Sequence, residues 1–340
     1  MSALTTKNVF SQMNTSQSQD NSDHAHLQKV LVSTIGSCIT SATVSEQIIV
    51  FAAVAKEPKL RAPHNYFIIS LAIADFVIGA TSMPFWTIYS ALGYWPFSQL
   101  WCDIWNALDY ALCGVSILTI LLMTLDRFLV LKYPLTYKVA RTSTKAIIIV
   151  IFVWTGTIVV LSSFIGLTQF LLGTNRNLAN CHTYYLLNIP LAFVYVTLLH
   201  WGVIVCTLVV YVLIYHIATK AGKLSVDSSL ATNRESNKNK KIKTITLLLV
   251  VFCGCWLPLS VFLVIEAIKP DWLNQWYIVV GYWLGYVNSM LNPICYAFGN
   301  PCFKDTVIKM FNNSKNRVCF FFQVNEDHRD KEFRDHGLRC

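Results

Sequence analysis

Seven long runs of mostly apolar residues dominate this 340-residue chain. A membrane-spanning helix needs about 20 such residues, because it must cross roughly 30 Å of hydrocarbon. The runs cover Val30–Ala55, Tyr66–Leu92, Leu100–Leu131, Ala146–Phe170, Leu186–Ile217, Ile242–Ile268 and Trp276–Phe298. Only 13% of the residues are charged, well below the roughly 25% of soluble domains, so several spans are favoured over one soluble core. The sequence predicts an all-α membrane protein, a bundle of seven transmembrane helices.

Basic residues in alternate connections predict the orientation of this bundle. These connections hold Lys56, Lys59, Arg61, Lys132, Lys138, Arg141, Lys145 and the cations between Lys220 and Lys243. Connections rich in Lys and Arg stay in the cytoplasm, so the amino terminus is expected outside the plasma membrane and the carboxyl tail inside. The net charge of +9 is spread over these loops rather than gathered in one patch, and no nucleic-acid partner is expected.

The two ends of the chain are polar and differ from the predicted transmembrane domain, residues 30–299. Residues 1–29 are expected to be extracellular and disordered, and Asn14 begins a glycosylation sequon. The pattern of residues 300–313 predicts a short amphipathic helix in the inner membrane interface, in contact with lipid. Residues 314–340 are expected to form a disordered cytoplasmic tail. Cys319 is either a palmitoylation site or a plain interfacial cysteine.

Asp109 is the charged residue that most suggests a function. It precedes sixteen uncharged residues that end at Asp126-Arg127. One helix of that length, roughly 25 Å, holds a carboxylate near one membrane face and an acid–base pair near the other. A charge inside a membrane segment costs at least ~2.5 kcal/mol and normally marks a functional site. The alternative is a salt bridge to a neighbouring span, but no Lys or Arg lies at a matching depth.

Five motifs occur in order along the spans and carry a family resemblance. They are Leu71-Ala72-Ile73-Ala74-Asp75, Asp126-Arg127-Phe128, Trp154, Cys255-Trp256-Leu257-Pro258 and Asn292-Pro293-Ile294-Cys295-Tyr296. Each resembles the corresponding motif of rhodopsin-like (class A) G-protein-coupled receptors, and the resemblance covers about residues 44 to 312. It implies a receptor that signals to a heterotrimeric G protein, with arrestin and a receptor kinase as further partners.

Within that family, the chain resembles the biogenic-amine receptors. The segments Ala107–Tyr110 and Gly281–Tyr286 are similar to those of muscarinic acetylcholine receptors, and Asp109–Cys113 to those of some histamine receptors. The resemblance implies a small cationic amine, acetylcholine- or histamine-like, with Asp109 as its counter-ion and Tyr286 donating a hydrogen bond to Asp109. The expected ligand-binding residues are Trp105, Asp109, Tyr110, Cys113, Trp256, Tyr282, Trp283 and Tyr286. Aromatic rings attract cations, although each ring could equally serve packing alone.

The resemblance also implies residues for switching and coupling. They are Asp126, Arg127, Tyr211, Trp256, Pro258, Asn292, Pro293 and Tyr296. Asp126 is expected to pair with Arg127 in the resting state, and Lys238 stands where an acidic partner is often found. Pro258 and Pro293 are expected to kink their helices.

Two further sites follow from the resemblance. Cys102 and Cys181 are expected to form a disulfide over the ligand site. The polar residues Asp75, Ser116, Asn288 and Asn292 resemble a sodium-binding cluster, with a hydrogen-bonded network that lacks an ion as the alternative. Glu46-Gln47 replaces the usual Gly-Asn pair next to this cluster. No other cofactor is expected.

Other classes of protein are less well supported. A class A receptor for a peptide or a lipid remains an alternative, because Leu259-Ser260 replaces the pair that amine sites usually present. A transporter or channel would need a continuous polar path and often has internal repeats, and neither is apparent. No group of catalytic residues is found, so the chain is not expected to be an enzyme.

Overall fold

The computed structural model describes the backbone of residues 3–172, 181, 189–195, 198, 201–223, 231–269, 272 and 274–312. The side chains of residues 3–25 and 221–245, with a few others, lie outside this description. The helices are α1 (Ala3–Lys56), α2 (Tyr66–Val77), α3 (Met83–Leu92), α4 (Gln99–Lys132), α5 (Pro134–Ala140), α6 (Ser143–Leu172), α7 (Ile189–Tyr195), α8 (Gly202–Lys223), α9 (Ala231–Ile268), α10 (Gln275–Gly299) and α11 (301–312).

The predicted seven-helix bundle is confirmed. Helices α2 and α3 form one span through a π-helical turn, and α7 and α8 both belong to the fifth apolar run. Within the described residues, five segments are by themselves long and apolar enough to cross a membrane: His26–Lys56, Tyr66–Leu92, Gln99–Lys132, Ser143–Leu171 and Leu249–Glu266. Helix α8 and helix α10, of 25 residues, lie in the other two predicted runs.

The first helix starts earlier than the apolar run that predicts it. Its backbone is helical from Ala3, whereas the polar composition of residues 1–29 predicts disorder. Disorder of that segment stays a prediction, and the side chain of Asn14 lies outside the description. Cys319 and the tail 314–340 lie outside the described residues as well.

Local sequence signals explain several helix boundaries. Ser98 caps α4 by accepting a hydrogen bond from the backbone N–H of Trp101 at 3.2 Å. Asn274 caps α10 in the same way through Trp276. Helix α3 ends at Gly93, whose φ of 76° is a left-handed conformation that glycine adopts without steric cost.

A π-helical turn, Ile78–Ser82, interrupts the second span. It lies directly before Pro84, which has no N–H and cannot close the regular hydrogen bond to the preceding turn. The turn brings Gly79 against α1, where an added Cβ would lie 3.1 Å from Val44 and 3.2 Å from Thr43. The prolines Pro258 and Pro293 lie inside α9 and α10, and both helices continue past them.

Helix α4 occupies the centre of the bundle, packed against α2, α6 and α8, and α9 packs extensively along α10. Most of α4 is buried, whereas α6 exposes apolar side chains such as Phe152 and Val159, as expected of a helix facing lipid. The predicted disulfide between Cys102 and Cys181 is confirmed, with a Cα–Cα distance of 5.7 Å. We call the end of the bundle that holds it the disulfide end, and the other the Asp126 end.

Candidate functional site

Asp109 lies on α4, is 4% exposed and faces a cavity between α4, α7, α9 and α10. The hydroxyl of Tyr286 donates a hydrogen bond to its Oδ1 atom at 3.1 Å. Among the described residues, no Lys, Arg or His pairs with this carboxylate. A buried carboxylate with one phenolic partner and no counter-ion is a strong recognition element for a cation.

The space between the side chains around Asp109 amounts to about 360 Å³, part of which is open to solvent. The lining residues are Asp109, Tyr110, Cys113, Tyr195, Trp256, Leu259, Leu263, Tyr282, Gly285 and Tyr286. Five aromatic rings therefore surround one carboxylate. The hydroxyls of Tyr110 and Tyr282, 2.7 Å apart, connect α4 to α10.

Six of the eight side chains predicted to bind ligand line this cavity, and two do not. Trp105 packs instead in an aromatic cluster next to the disulfide, stacked on Trp95 with ring centroids 5.1 Å apart. Trp283 lies with its ring edge-on to that of Tyr286 and against Gly36 of α1. The rings of Trp105 and Trp283 thus support the cavity from behind rather than lining it.

Sequence reasoning missed four lining residues: Tyr195, Leu259, Leu263 and Gly285. Leu259 and Leu263 lie one and two helical turns after Trp256, so helical spacing alone could have found them. Gly285 carries no side-chain chemistry to attract notice. Ser82 was also missed. The π-helical turn places this buried serine close to Asp109, although its hydroxyl has no partner with hydrogen-bond geometry among the residues that the structure describes.

The second buried carboxylate, Asp75, connects three helices. Asn292 of α10 donates to its Oδ2 atom at 2.8 Å, and the Ser116 hydroxyl of α4 lies 3.5 Å from Oδ1. Asn288 is buried nearby in α10, and its side-chain oxygen and nitrogen have no partner among the described residues. These carboxylate, amide and hydroxyl oxygens suit a hard cation such as sodium.

Gln47 occupies the place on α1 where the resemblance leads one to expect an asparagine. Its Nε2 atom donates to the backbone oxygen of Ser289 at 3.0 Å, and its buried Oε1 atom has no hydrogen-bond partner within the described part of the chain. The longer side chain therefore still joins α1 to α10.

The structure corrects the expected pairing of Asp126. This residue is 4% exposed and forms an ion pair with Arg141, from the connection between α5 and α6. The hydroxyl of Tyr137 also donates to it, at 3.0 Å. Burial, and then the nearby Asp126 charge, raise the pKa of Tyr137. The structure shows no ion pair between Asp126 and Arg127; the partners of the Asp126 carboxylate are Tyr137 of α5 and Arg141.

The other predicted switch residues are distributed along α8, α9 and α10. The hydroxyls of Tyr211 and Thr246 are 2.8 Å apart and connect α8 to α9 near the Asp126 end. Trp256 lines the cavity two residues before Pro258, and Tyr296 is buried three residues after Pro293. The side chain of Lys238 lies outside the described residues.

The fold and the site are those of a seven-helix membrane protein whose cavity holds a buried carboxylate. The model of the 7 transmembrane receptor (rhodopsin family) matches residues 46–296 of the chain. The chain belongs to this family. Membership confirms the resemblance read from the motifs and the expectation that the chain is not an enzyme.

The similar proteins of known identity include amine receptors. The histamine H2 receptor of Cavia porcellus is 33% identical over 300 residues, which cover 83% of this chain and 80% of that protein. The histamine H2 receptor of Homo sapiens is 30% identical over 293 residues, with the same coverage of 83% and 80%. The alpha-1A adrenergic receptor of Bos taurus is 26% identical over 312 residues, covering 80% of this chain and 65% of that protein.

Proposed function

We propose that the protein is a plasma-membrane receptor for a small cationic amine and that the ligand's ammonium group binds Asp109. The observation that carries this proposal is the buried carboxylate of Asp109, which holds no counter-ion among the described residues and faces an aromatic cavity. Cation–π attraction adds ~0.5–2 kcal/mol per well-placed ring. The similarity to histamine and adrenergic receptors supports the same class of ligand.

Two ligand types fit this site, acetylcholine-like and histamine-like amines. The tyrosines Tyr110, Tyr282 and Tyr286 form a cage that suits a methylated ammonium. The 33% identity to a histamine H2 receptor favours a primary amine with a polar ring. The two ligand types differ in the size of their ammonium group.

We further propose the orientation that the basic connections predict, with the disulfide end outside the cell and the Asp126 end in the cytoplasm. An agonist at Asp109 contacts Trp256, and movement of α9 about Pro258 then exposes a groove at the Asp126 end to a heterotrimeric G protein. Arg127 is the proposed contact with that protein. Arrestin and a receptor kinase are proposed for the same end.

The smaller sites stay proposals of the same kind. Asp75, Ser116, Asn288 and Asn292 are proposed to hold an allosteric sodium ion, and the buried oxygens of that cluster support this. Glycosylation at Asn14 and palmitoylation at Cys319 are proposed from the sequence alone.

Replacing Asp109→Asn tests the amine site, because asparagine keeps the shape of the side chain and removes its charge. We expect the potency of the effective amine to fall by about 100-fold or more, since truncating one partner of a buried charge pair costs ~2–5 kcal/mol. Acetylcholine and histamine are tested on cells that express each variant, with calcium and cyclic AMP as readouts. Asp305→Asn, an exposed site on α11, is the control for loss of one negative charge. An unchanged response of Asp109→Asn would reject this site, and a response to a peptide or lipid alone would favour the alternative class of ligand.

A further inference from the structure

Two glycines on α10, one helical turn apart, have opposite roles where α10 packs against α9. A Cβ atom at Gly281 would lie 3.0 Å from Phe262 Cδ2 and 3.3 Å from the backbone Cα of Leu259. Such distances are shorter than most real side-chain contacts, so any side chain at Gly281 would require Phe262 and Leu259 to shift.

At Gly285, by contrast, the packing of α9 against α10 leaves room for a small side chain. A Cβ atom there would lie 3.6 Å from Leu259 Cδ2 and 3.7 Å and 3.8 Å from two atoms of the Trp256 ring. These are ordinary van der Waals distances, and alanine would favour the helix more than glycine does. Because neither the backbone nor the helix contact needs a glycine, the space left at Gly285 belongs to the cavity.

That space lies beside the position of the proposed ammonium group. Gly285 lines the same cavity as Asp109, and the next residue, Tyr286, donates the hydrogen bond to Asp109. The missing side chain leaves a recess bounded by Trp256 and Leu259. A primary ammonium at Asp109 has no group to place in this recess, whereas an N-methyl group does.

We propose that Gly285 determines how large an ammonium head the cavity accepts, and that the recess it leaves accommodates N-methyl groups of the ligand. The inference rests on the proposed amine function and adds a residue that controls specificity. Gly285 acts through the volume it leaves free and contributes no hydrogen bond or charge.

The test compares probes that share one body and differ only in the head. Histamine and its Nα,Nα,Nα-trimethyl derivative form one pair, and 2-(dimethylamino)ethyl acetate and acetylcholine form another. Thermal stabilisation of the purified full-length receptor at increasing probe concentration gives an apparent affinity for each probe. For each variant, the affinity for the probe with the larger ammonium group is divided by the affinity for the probe with the smaller one. Differences in expression or stability between variants cancel in this ratio.

In Gly285→Ala we expect this ratio to fall about ten-fold or more, the usual effect of one misplaced methyl group in an apolar pocket. Gly285→Ser is a second small variant and is expected to shift the ratio in the same direction. The control is Gly254→Ala on the exposed face of α9, where an added Cβ meets nothing within 4 Å. It should leave the ratio unchanged.

The possible outcomes distinguish a failure of the proposed role of Gly285 from a failure of the proposed amine function. If the wild type binds the amines and loses them in Asp109→Asn, but Gly285→Ala leaves the ratio unchanged or weakens both heads equally, the size role of Gly285 is overturned while the amine site stands. If no probe stabilises the wild type, the proposed function fails and the role of Gly285 fails with it.

Discussion

Replacing Arg141→Ala should destabilise the folded receptor, because it removes the charge partner of a buried carboxylate. Asp126 is 4% exposed and the Arg141 side chain 15% exposed, so solvent screens their interaction weakly. Leaving one member of a buried ion pair without its partner costs ~3–5 kcal/mol. The Tyr137 hydroxyl, 3.0 Å from Asp126, still stabilises the carboxylate in this variant. Because this hydrogen bond to the charged group remains, we expect the free energy of unfolding to fall by only about 2–3 kcal/mol.

The measurement is the midpoint of thermal unfolding of the purified receptor in one detergent. A loss of 2–3 kcal/mol corresponds to a decrease of roughly 3–4 °C, if the unfolding entropy scales with chain length. Lys145→Ala is the matched control. This exposed cation lies in the first turn of α6, and its Nζ atom donates to the backbone oxygen of Ala140.

A double-mutant cycle tests the reasoning directly. Asp126→Asn removes the charge that Arg141 neutralises, so Arg141→Ala should cost much less in that background than in the wild type. Equal costs in the two backgrounds, or an Arg141→Ala variant as stable as Lys145→Ala, would refute the assignment of Arg141 as the partner of Asp126.

Two further substitutions test the contacts between helices. Thr246→Val removes the hydroxyl bonded to Tyr211 and keeps the side-chain shape, so we expect the contact between α8 and α9 to weaken by about 1 kcal/mol. Basal activity, measured as GTPγS binding without agonist, should then rise a few-fold. Basal activity equal to that of the wild type would mean that this bond does not restrain α9. Gly281→Ala should lower the unfolding temperature, because its methyl group would crowd Phe262 and the backbone of Leu259, and overpacking costs ~1–3 kcal/mol. Gly254→Ala, at which nothing lies within 4 Å, should not lower it.

The sequence predicted those features that depend on a single helix. A run of twenty apolar residues has few solutions in a membrane, since the backbone must satisfy its own hydrogen bonds. The second span illustrates this: the predicted Tyr66–Leu92 coincides with the ends of α2 and α3. Asp109 could be identified for the same reason, because an ionisable residue in such a run is costly wherever the helix packs.

The partners of those residues depended on which helix faces meet. Tyr286 and Asp109 are 177 positions apart, and only the packing of α10 beside α4 brings them to 3.1 Å. The family motif suggested that Asp126 pairs with its neighbour Arg127, whereas in the structure Asp126 forms an ion pair with Arg141. Arg127 and Asp126 are adjacent in sequence, yet consecutive residues on a helix point in different directions.

Which residues line the cavity also depends partly on a single helix and partly on the packing of several helices. Trp105 lies one turn before Asp109 and shares its helix face, so the sequence placed both in the ligand site. In the structure, Trp105 packs next to the disulfide and stacks on Trp95, and it does not line the cavity. Gly285 was not predicted to line the cavity because it contributes no side chain, and the shape of the space beside it depends on how several helices pack together. The sequence alone determined the helices and the lone carboxylate. The tertiary structure decided what surrounds that carboxylate, because side-chain contacts across helices depend on packing that no single segment encodes.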